Sequence, residues 1–276
     1  MCIRDSLYAV FTVFVLSFVF MPLGSDAHAV AFRSPSLGGA TGLITTPTAR
    51  TGWEGAFMGL DLGMGYTQLG DGSYLPRATL QLFDRWELGA MYEMLDEHED
   101  DMEQNDLYLH SKIRFYPWTG SSNSALAIGG NYQSLKVNDE SYVAYQFYLA
   151  ATYSGDFLGM PAETTLVFGK TFGDDKIVPE KDYDFSMGFD LDLFPSIFKG
   201  YIHWITDFSN YSYTKDALRD VSGYRGSFNT GARIAVFKGH RKYKLNIDVL
   251  GLDLLDDPDA SGGRELGLQV VFGLGL

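Results

Sequence analysis

The side chains that could carry out chemistry are few, and their spacing argues against catalysis. A hydrolytic site needs a nucleophile within hydrogen-bond reach of a base, with a third group orienting that base. His110 precedes Ser111 directly, so on an extended chain the two side chains leave opposite faces. His203 has no serine partner that the sequence identifies. The sequence contains no G-x-S-x-G elbow, no metal-binding histidine pair and no phosphate loop. It is therefore read as non-enzymatic, with no cofactor and no catalytic metal. Two acidic runs stand out, residues 96–103 and the group Asp253, Asp256, Asp257 and Asp259. Converging carboxylates bind Ca²⁺ or Mg²⁺, but neither run has the spacing of a Ca²⁺ loop, and both read as solvated loops. The formal charge of −14 disfavours nucleic acid as a partner.

A second set of charges is more informative, because it sits inside apolar alternation. In residues 182–193, Tyr183, Phe185, Met187, Phe189 and Leu191 alternate with Asp182, Asp184, Ser186, Gly188, Asp190 and Asp192. Lys112 and Arg114 alternate with Ile113 and Phe115, Arg233 with Ala232 and Ile234, and Lys244 and Asp248 with Leu245, Ile247 and Val249. Extended chain sends alternate side chains to opposite faces. If the apolar face meets lipid, where an arginine or lysine at the midplane costs about 2–4 kcal/mol, these charges must face a lumen. The expected lumen-lining charges are the acids Asp61, Glu87, Glu93, Asp184, Asp190 and Asp248 against the bases Arg77, Lys112, Arg114, Arg233 and Lys244. Two roles are open for them: a salt-bridge network across a filled interior, or a charged pore lining that selects solutes.

The elements that would position these charges are strands. They are expected at 55–67, 77–83, 86–95, 107–116, 125–132, 141–153, 163–172, 182–193, 201–208, 227–237, 242–252 and 264–272, about twelve in all. Their connections alternate in character. Those at 84–85, 117–123, 155–162, 194–199 and 238–241 are short or rigid; those at 68–75, 96–106, 134–140, 173–181, 209–226 and 253–263 are mostly longer and often acidic. Short periplasmic turns and longer outer loops are the rule in outer-membrane barrels. The expected fold is all-β, a transmembrane antiparallel up-and-down β-barrel of about 12 strands. Aromatics make up 15% of residues and glycines number 31, a composition suited to a barrel with aromatic girdles. Trp53, Tyr66, Trp86, Tyr116, Trp118, Tyr153, Trp204 and Tyr243 are read as that girdle; Tyr211, Tyr213 and Tyr224, in the longest loop, are the candidates for stacking on a sugar.

The two ends of the sequence agree with an envelope location. The first six residues read as the translation of a transposon end used in sequencing-library preparation, so Cys2 carries no weight. Residues 7–23 are nearly all apolar and lead to Ala27-His28-Ala29, the pattern of a secretory signal cleaved after Ala29. The rest has no cysteine and no further apolar run long enough for a membrane helix. At the other end Leu266, Leu268, Val270, Phe272, Leu274 and Leu276 share one face, and Gly267, Gln269, Gly273 and Gly275 the other. This segment resembles the closing strand of bacterial outer-membrane barrels, which usually ends in Phe or Trp; here the last residue is Leu276 and the aromatic is Phe272.

Between the signal and the first strand, residues 30–54 lack periodicity. They include Gly39, Thr41, Gly42, Leu43, Ile44, Thr46, Pro47, Thr48, Ala49 and Arg50. These residues resemble the N-terminal signature of the YjbH family, outer-membrane proteins that are typically much longer and are linked to exopolysaccharide or capsule production. The resemblance implies an outer-membrane barrel of a Gram-negative bacterium that takes part in polysaccharide export or assembly, as passage or docking site. Its partners would be outer-membrane lipid and lipopolysaccharide, with polysaccharide and periplasmic export proteins. A small porin-like channel and a structural barrel with a filled lumen are the alternatives. Residues 30–54 would be a periplasmic contact or a plug, and 55–276 the barrel.

Overall fold

Alternating side chains, continued from strand to strand, make one sheet with an oily face and a polar face, and the sheet closes on itself. The computed structural model describes residues 32–68, 72–95, 104–117, 123–137, 140–174, 183–210, 226–255 and 264–276. A two-stranded ribbon comes first, β1 (Ser34–Pro35) with β2 (Thr41–Gly42). The wall then runs β3 (Met58–Gln68), β4 (Ser73–Leu82), β5 (Trp86–Leu95), β6 (Gln104–Tyr116), β7 (Ser124–Val137) and β8 (Glu140–Phe157). It continues β9 (Met160–Gly173), β10 (Asp184–Asp192), β11 (Ile202–Ser209), β12 (Ser227–Ala235), β13 (Tyr243–Leu252) and β14 (Glu265–Gly275). Each strand of the wall pairs antiparallel with its sequence neighbours, and β14 pairs with β3 to complete a closed barrel. Closure removes the unpaired edge that a sheet would otherwise expose.

The two faces differ as a membrane requires. Leu266, Leu268, Val270 and Phe272 of β14, Phe147 and Leu149 of β8, and Leu166 and Phe168 of β9 are exposed on the outside. Many inward positions on the same strands are polar or small, as Gln269, Gly267 and Gly273 on β14, Gln146 and Thr152 on β8, and Glu163 and Thr165 on β9, with Val271, Tyr148 and Val167 as buried apolar side chains among them. An apolar belt around a buried polar interior, with every strand paired on both sides, is the outer-membrane β-barrel. Among the described residues no helix is long and apolar enough to cross a membrane; the one helical turn, Pro195–Phe198, lies in a connection.

The longest connections, those after β11 and β13, lie at one end of the wall, and the β4–β5 and β8–β9 hairpins sit at the other, where the barrel begins and finishes. Met58 and Leu276 exchange backbone hydrogen bonds there, at 3.3 and 2.8 Å. In the β4–β5 hairpin, Phe83 and Asp84 both have positive φ (55° and 61°), and the Arg85 amide donates to the Leu82 carbonyl at 3.2 Å. Leu158 and Gly159 repeat the arrangement between β8 and β9 (52° and 78°). Positive φ at both central positions matches the twist of the flanking strands. By the alternation rule this is the periplasmic end.

Several boundaries differ from the sequence expectation. The first wall strand begins at Met58 and not at 55, because Trp53 to Phe57 belong to a turn that enters the barrel. Residues 134–140 do not form a long loop: β7 runs to Val137 and β8 resumes at Glu140, with Ser134 to Lys136 paired to Val143, Tyr142 and Ser141. Leu135 continues the inward face and is fully buried. Polar outward residues such as Ser134 and Lys136 read as a loop, yet a strand that has left the lipid carries them freely. The expected loop at 155–162 likewise contracts to Leu158 and Gly159. The acidic run 96–103, Asp256, Asp257, Asp259, Trp118, Tyr211, Tyr213 and Tyr224 lie outside the described residues.

The outward face can be tested at two depths. Val270→Arg, mid-strand in the belt, should lower folding stability in bilayers by about 2–4 kcal/mol, and Leu266→Arg, near the outer end of the same strand, by at most about 1 kcal/mol. Denaturant titration in liposomes reads both, and equal losses would contradict the assigned depth.

Candidate functional site

The lumen is occupied by the chain's own N-terminal segment. Residues 33–54 fold inside the barrel as a compact loop, and the wall reaches it through side chains from nearly every direction. Gly42 faces Pro47 across an isolated bridge, and a Cβ at Gly42 would lie 2.3 Å from the Thr46 carbonyl, so only glycine lets the two arms approach. The Leu43 amide donates to the Thr46 carbonyl at 2.9 Å and the Thr48 amide to the Thr41 carbonyl at 3.0 Å. Gly39, at φ 91°, turns the chain back toward Ser36. The signature-like residues 39–50 are thus the folded heart of the segment.

All eleven expected lumen charges, Asp61, Arg77, Glu87, Glu93, Lys112, Arg114, Asp184, Asp190, Arg233, Lys244 and Asp248, point inward and are buried. Three wall cations repeat one arrangement. Lys112 pairs with Glu87 at 3.1 Å, its cross-strand neighbour, and donates to the Thr41 and Arg50 carbonyls at 3.0 and 2.9 Å. Arg233 makes a forked bond to Asp248 (2.9–3.1 Å) and donates to the Phe32, Gly42 and Leu43 carbonyls, each at 3.2 Å. Lys244 pairs with Asp61 at 2.7 Å and donates to the Arg33 and Gly52 carbonyls at 2.9 and 3.3 Å. The last pair spans β14 because Gly273 stands between the two side chains, where a Cβ would lie 2.3 Å from Asp61 Oδ1. In each case one carboxylate neutralises the cation, and the backbone of the segment accepts its remaining N–H groups.

The carboxylates are used in the same way. Glu87 also accepts from the Thr41 amide at 2.8 Å, and Asp61 from the Trp53 indole at 2.8 Å. Asp207 makes the densest contact: one carboxylate oxygen accepts the Ile44, Thr45 and Thr46 amides at 3.0, 2.7 and 2.9 Å, and the other accepts from Thr45 Oγ1 and Asn229. Neutral side chains complete the cradle. Gln81 exchanges two bonds with the Trp53 backbone, Thr152 Oγ1 accepts the Ala49 amide, and Gln269 donates to the Pro35 carbonyl. Two apolar contacts seat the segment: Ala49 among Ala125, Ala127, Ala150 and Val167, and Ile44 and Leu37 against Ile205 and Leu250.

Nearer the periplasmic turns lies a cluster partly supplied by the segment itself. Arg33 bridges Glu54 at 2.9 Å and Glu163 at 2.7 Å, Arg114 bonds Glu54 at 2.9 Å and Asp84 at 3.0 Å, and Arg50 lies 3.5 Å from both Glu54 and Glu163. Burial opposes the charge on Arg33, but Glu163 and Glu54 outweigh it and hold the guanidinium above its usual range. Arg50, facing the same carboxylates, is lowered by burial and by repulsion from Arg33. Burial pushes the Asp84 carboxyl up, against the pull of the Gly55 amide and Arg114.

Of the remaining expected charges, only Arg77 is recorded with a hydrogen bond to the segment. Arg77 donates to the Ser36 carbonyl at 2.5 Å and forms no ion pair among the described residues. Asp190 holds His203 at 2.6 Å. Asp184 accepts from Gln146 at 2.8 Å and from Thr171, and Glu93 faces Asp106 across the β5–β6 ladder. Sequence reading did not single out Asp207, Glu163, Arg33 or Glu54. For Asp207 the signal was present, since it shares the parity of His203 and Ile205. Trp53 corrects the aromatic expectation: it is 1% exposed, lies inside the barrel under Lys244 (4.9 Å to the ring centre), and is no part of the girdle. It precedes the first strand, where parity says nothing.

The chain matches no family model and no curated protein. Among solved structures it is similar to a KdgM porin, at 9% identity and a TM-score of 0.46 over 78% of this chain and 99% of that one. It is also similar to the Acinetobacter baumannii outer membrane protein Omp33 (8%, 0.42, over 80% and 98%) and to OprD from Pseudomonas aeruginosa (16%, 0.34, over 88% and 73%). At such identities the likeness concerns the barrel fold alone.

Two substitutions test the cradle. Asp207→Ala leaves the buried Ile44 and Thr46 amides without their acceptor, at about 1–3 kcal/mol for each such group, and frees the half-buried Thr45 amide as well; protease should then cut within residues 33–57 while the barrel stays folded. Arg233→Met strands the Asp248 carboxylate and should cost about 3–5 kcal/mol, and the double change Arg233→Met with Asp248→Leu should recover part of that loss. A double variant no more stable than the single one would show that the buried pair is not the cause.

Proposed function

We propose that the protein is a small porin-like channel of the outer membrane whose lumen is closed by its own N-terminal segment. One observation carries this reading. The filling is a single terminal stretch joined to the wall only where residue 57 leads into Met58, so it can leave without breaking any rung of the wall ladder. A barrel filled for strength alone needs no detachable part; side chains from the wall would serve. With the segment displaced, the wall left behind is lined by Asp61, Glu87, Lys112, Asp207, Arg233 and Lys244, a polar surface that water and small solutes tolerate.

The polysaccharide-linked role implied by the YjbH-like residues is a second reading. What favours it is that those residues, 39–50, are the ones that fill the lumen. In that case the segment would be the part that meets polysaccharide or a periplasmic export protein once released.

Single-channel recording separates closed channel from inert barrel. The unaltered protein should be silent or open rarely in planar bilayers, and Asp207→Ala should open at least about tenfold more often, the equivalent of about 1.4 kcal/mol. A variant whose segment is cut by protease yet never conducts would defeat the channel reading.

A further inference from the structure

The periplasmic end of the wall carries its bases on one side. The connection after β10, residues 193–201, contains Lys199, and the one after β12, residues 236–242, contains Lys238, His240, Arg241 and Lys242. Residues 193–206 and 234–247 include no aspartate or glutamate. The other connections at this end differ: Asp84 balances Arg85 after β4, residues 117–123 are uncharged, and Leu158 and Gly159 follow Asp156 after β7 and β8. In a chain of formal charge −14 this basic corner is an exception. Strands β10 to β13 are consecutive in the wall, and Lys238 ties their two connections together: it donates to the Lys199 carbonyl and lies 5.8 Å over the Tyr201 ring. Its ammonium and the Asp192 carboxylate both come within 3.0 Å of the place a Cβ on Gly200 would take, so glycine there lets them close in. Lys238 is thus a partnered base, whereas Lys199 and Arg241 are exposed and form no ion pair among the described residues.

The same corner is apolar at its surface. The helical turn Pro195–Phe198 buries none of its residues, and Ile197 is 68% and Phe194 53% exposed. Phe198, Tyr201, Phe237 and Tyr243 are exposed as well. Tyr243 stacks on Phe272, which belongs to the lipid-facing row of β14, so the patch is continuous with the membrane belt. Apolar side chains with bases among them suit the level at which acyl chains give way to headgroups. We propose that this corner binds an anionic phospholipid of the periplasmic leaflet, with Lys199 and Arg241 at its phosphate and Phe194 and Ile197 against its acyl chains. A soluble anion would answer the bases but leave the exposed apolar groups in water, whereas a phospholipid answers both. The proposal goes beyond the channel reading and does not depend on whether the lumen conducts.

Native mass spectrometry of the folded protein tests it, with micelles that contain equal amounts of dioleoyl phosphatidylglycerol and dioleoyl phosphatidylcholine. The two lipids share their acyl chains and differ in net charge. The wild type should retain phosphatidylglycerol over phosphatidylcholine by at least about fivefold, the factor that one base near a headgroup supplies. The double variant Lys199→Gln with Arg241→Gln should bring that ratio close to one. Lys136→Gln, which removes an exposed base at the other end of the wall, should leave it unchanged. Excess glycerol 3-phosphate tells the sources apart. A ratio that survives it supports a lipid site, and a ratio that it abolishes assigns the bases to a soluble anion and overturns the proposal. Should the double variant fail to fold, the wild-type ratio with and without glycerol 3-phosphate still decides. Equal retention of the two lipids by the wild type, or a ratio that the double variant keeps, also overturns it and turns the corner toward an acidic periplasmic protein instead.

Discussion

The structure depends on what a buried ion pair leaves unsatisfied. Lys112 with Glu87, Arg233 with Asp248 and Lys244 with Asp61 are withdrawn from water on the inner wall. Pairing alone does not offset that withdrawal; the spare N–H groups and lone pairs must also be met. Neighbouring wall residues cannot meet them, because strand geometry holds their own backbone groups in the ladder. The N-terminal segment can. Its carbonyls accept from the three cations, and its amides donate to Glu87 and Asp207. Wall and segment are therefore complementary in a specific sense: each completes the hydrogen bonding of the other, and neither is satisfied dry and alone.

That complementarity explains why the contact is mainly polar. An apolar plug would hold the barrel shut through the hydrophobic effect, and its removal would expose oily surface to the lumen. Here the apolar contacts are few and scattered: Ala49, Ile44 with Leu37, Leu43 over Gly188, and Trp53 over Gly59. Were the segment to leave, as the proposed closure requires, water could take over each hydrogen bond it gave up. A seal of this kind is firm while dry and replaceable by solvent when wet, which is the property a reversible closure requires.

Much of this was legible in the sequence, and the limits have physical causes. Period-two alternation identified the wall and the inward parity of Asp61, Lys112, Arg233, Lys244 and Asp248, because lipid forbids those charges any other place. Strand ends were read less well: Ser134 to Lys136 carry polar outward side chains, and nothing in composition separates a strand emerging from lipid from a loop. The segment's family-like residues stood out, but their conformation is set by wall groups more than thirty positions away, as Asp207 sets the turn at Ile44 to Thr46. Such pairings have no local signature, so the cradle could not be seen before the fold was known. Trp53 shows the same limit, since an aromatic just ahead of the first strand looks like a girdle residue until its partners Asp61 and Lys244 are in view.

The most direct test of the closure is the conductance of the barrel with the segment removed. The wall strands alone, starting at Met58, would be compared with a chain starting at Val30, after both are shown to be folded by heat-modifiable migration. A steady, ion-conducting pore in the shortened protein and near silence in the intact one is the expected result. A shortened barrel that folds and seals a bilayer as tightly as the intact one would mean that the wall fills its own lumen, and the segment closes nothing.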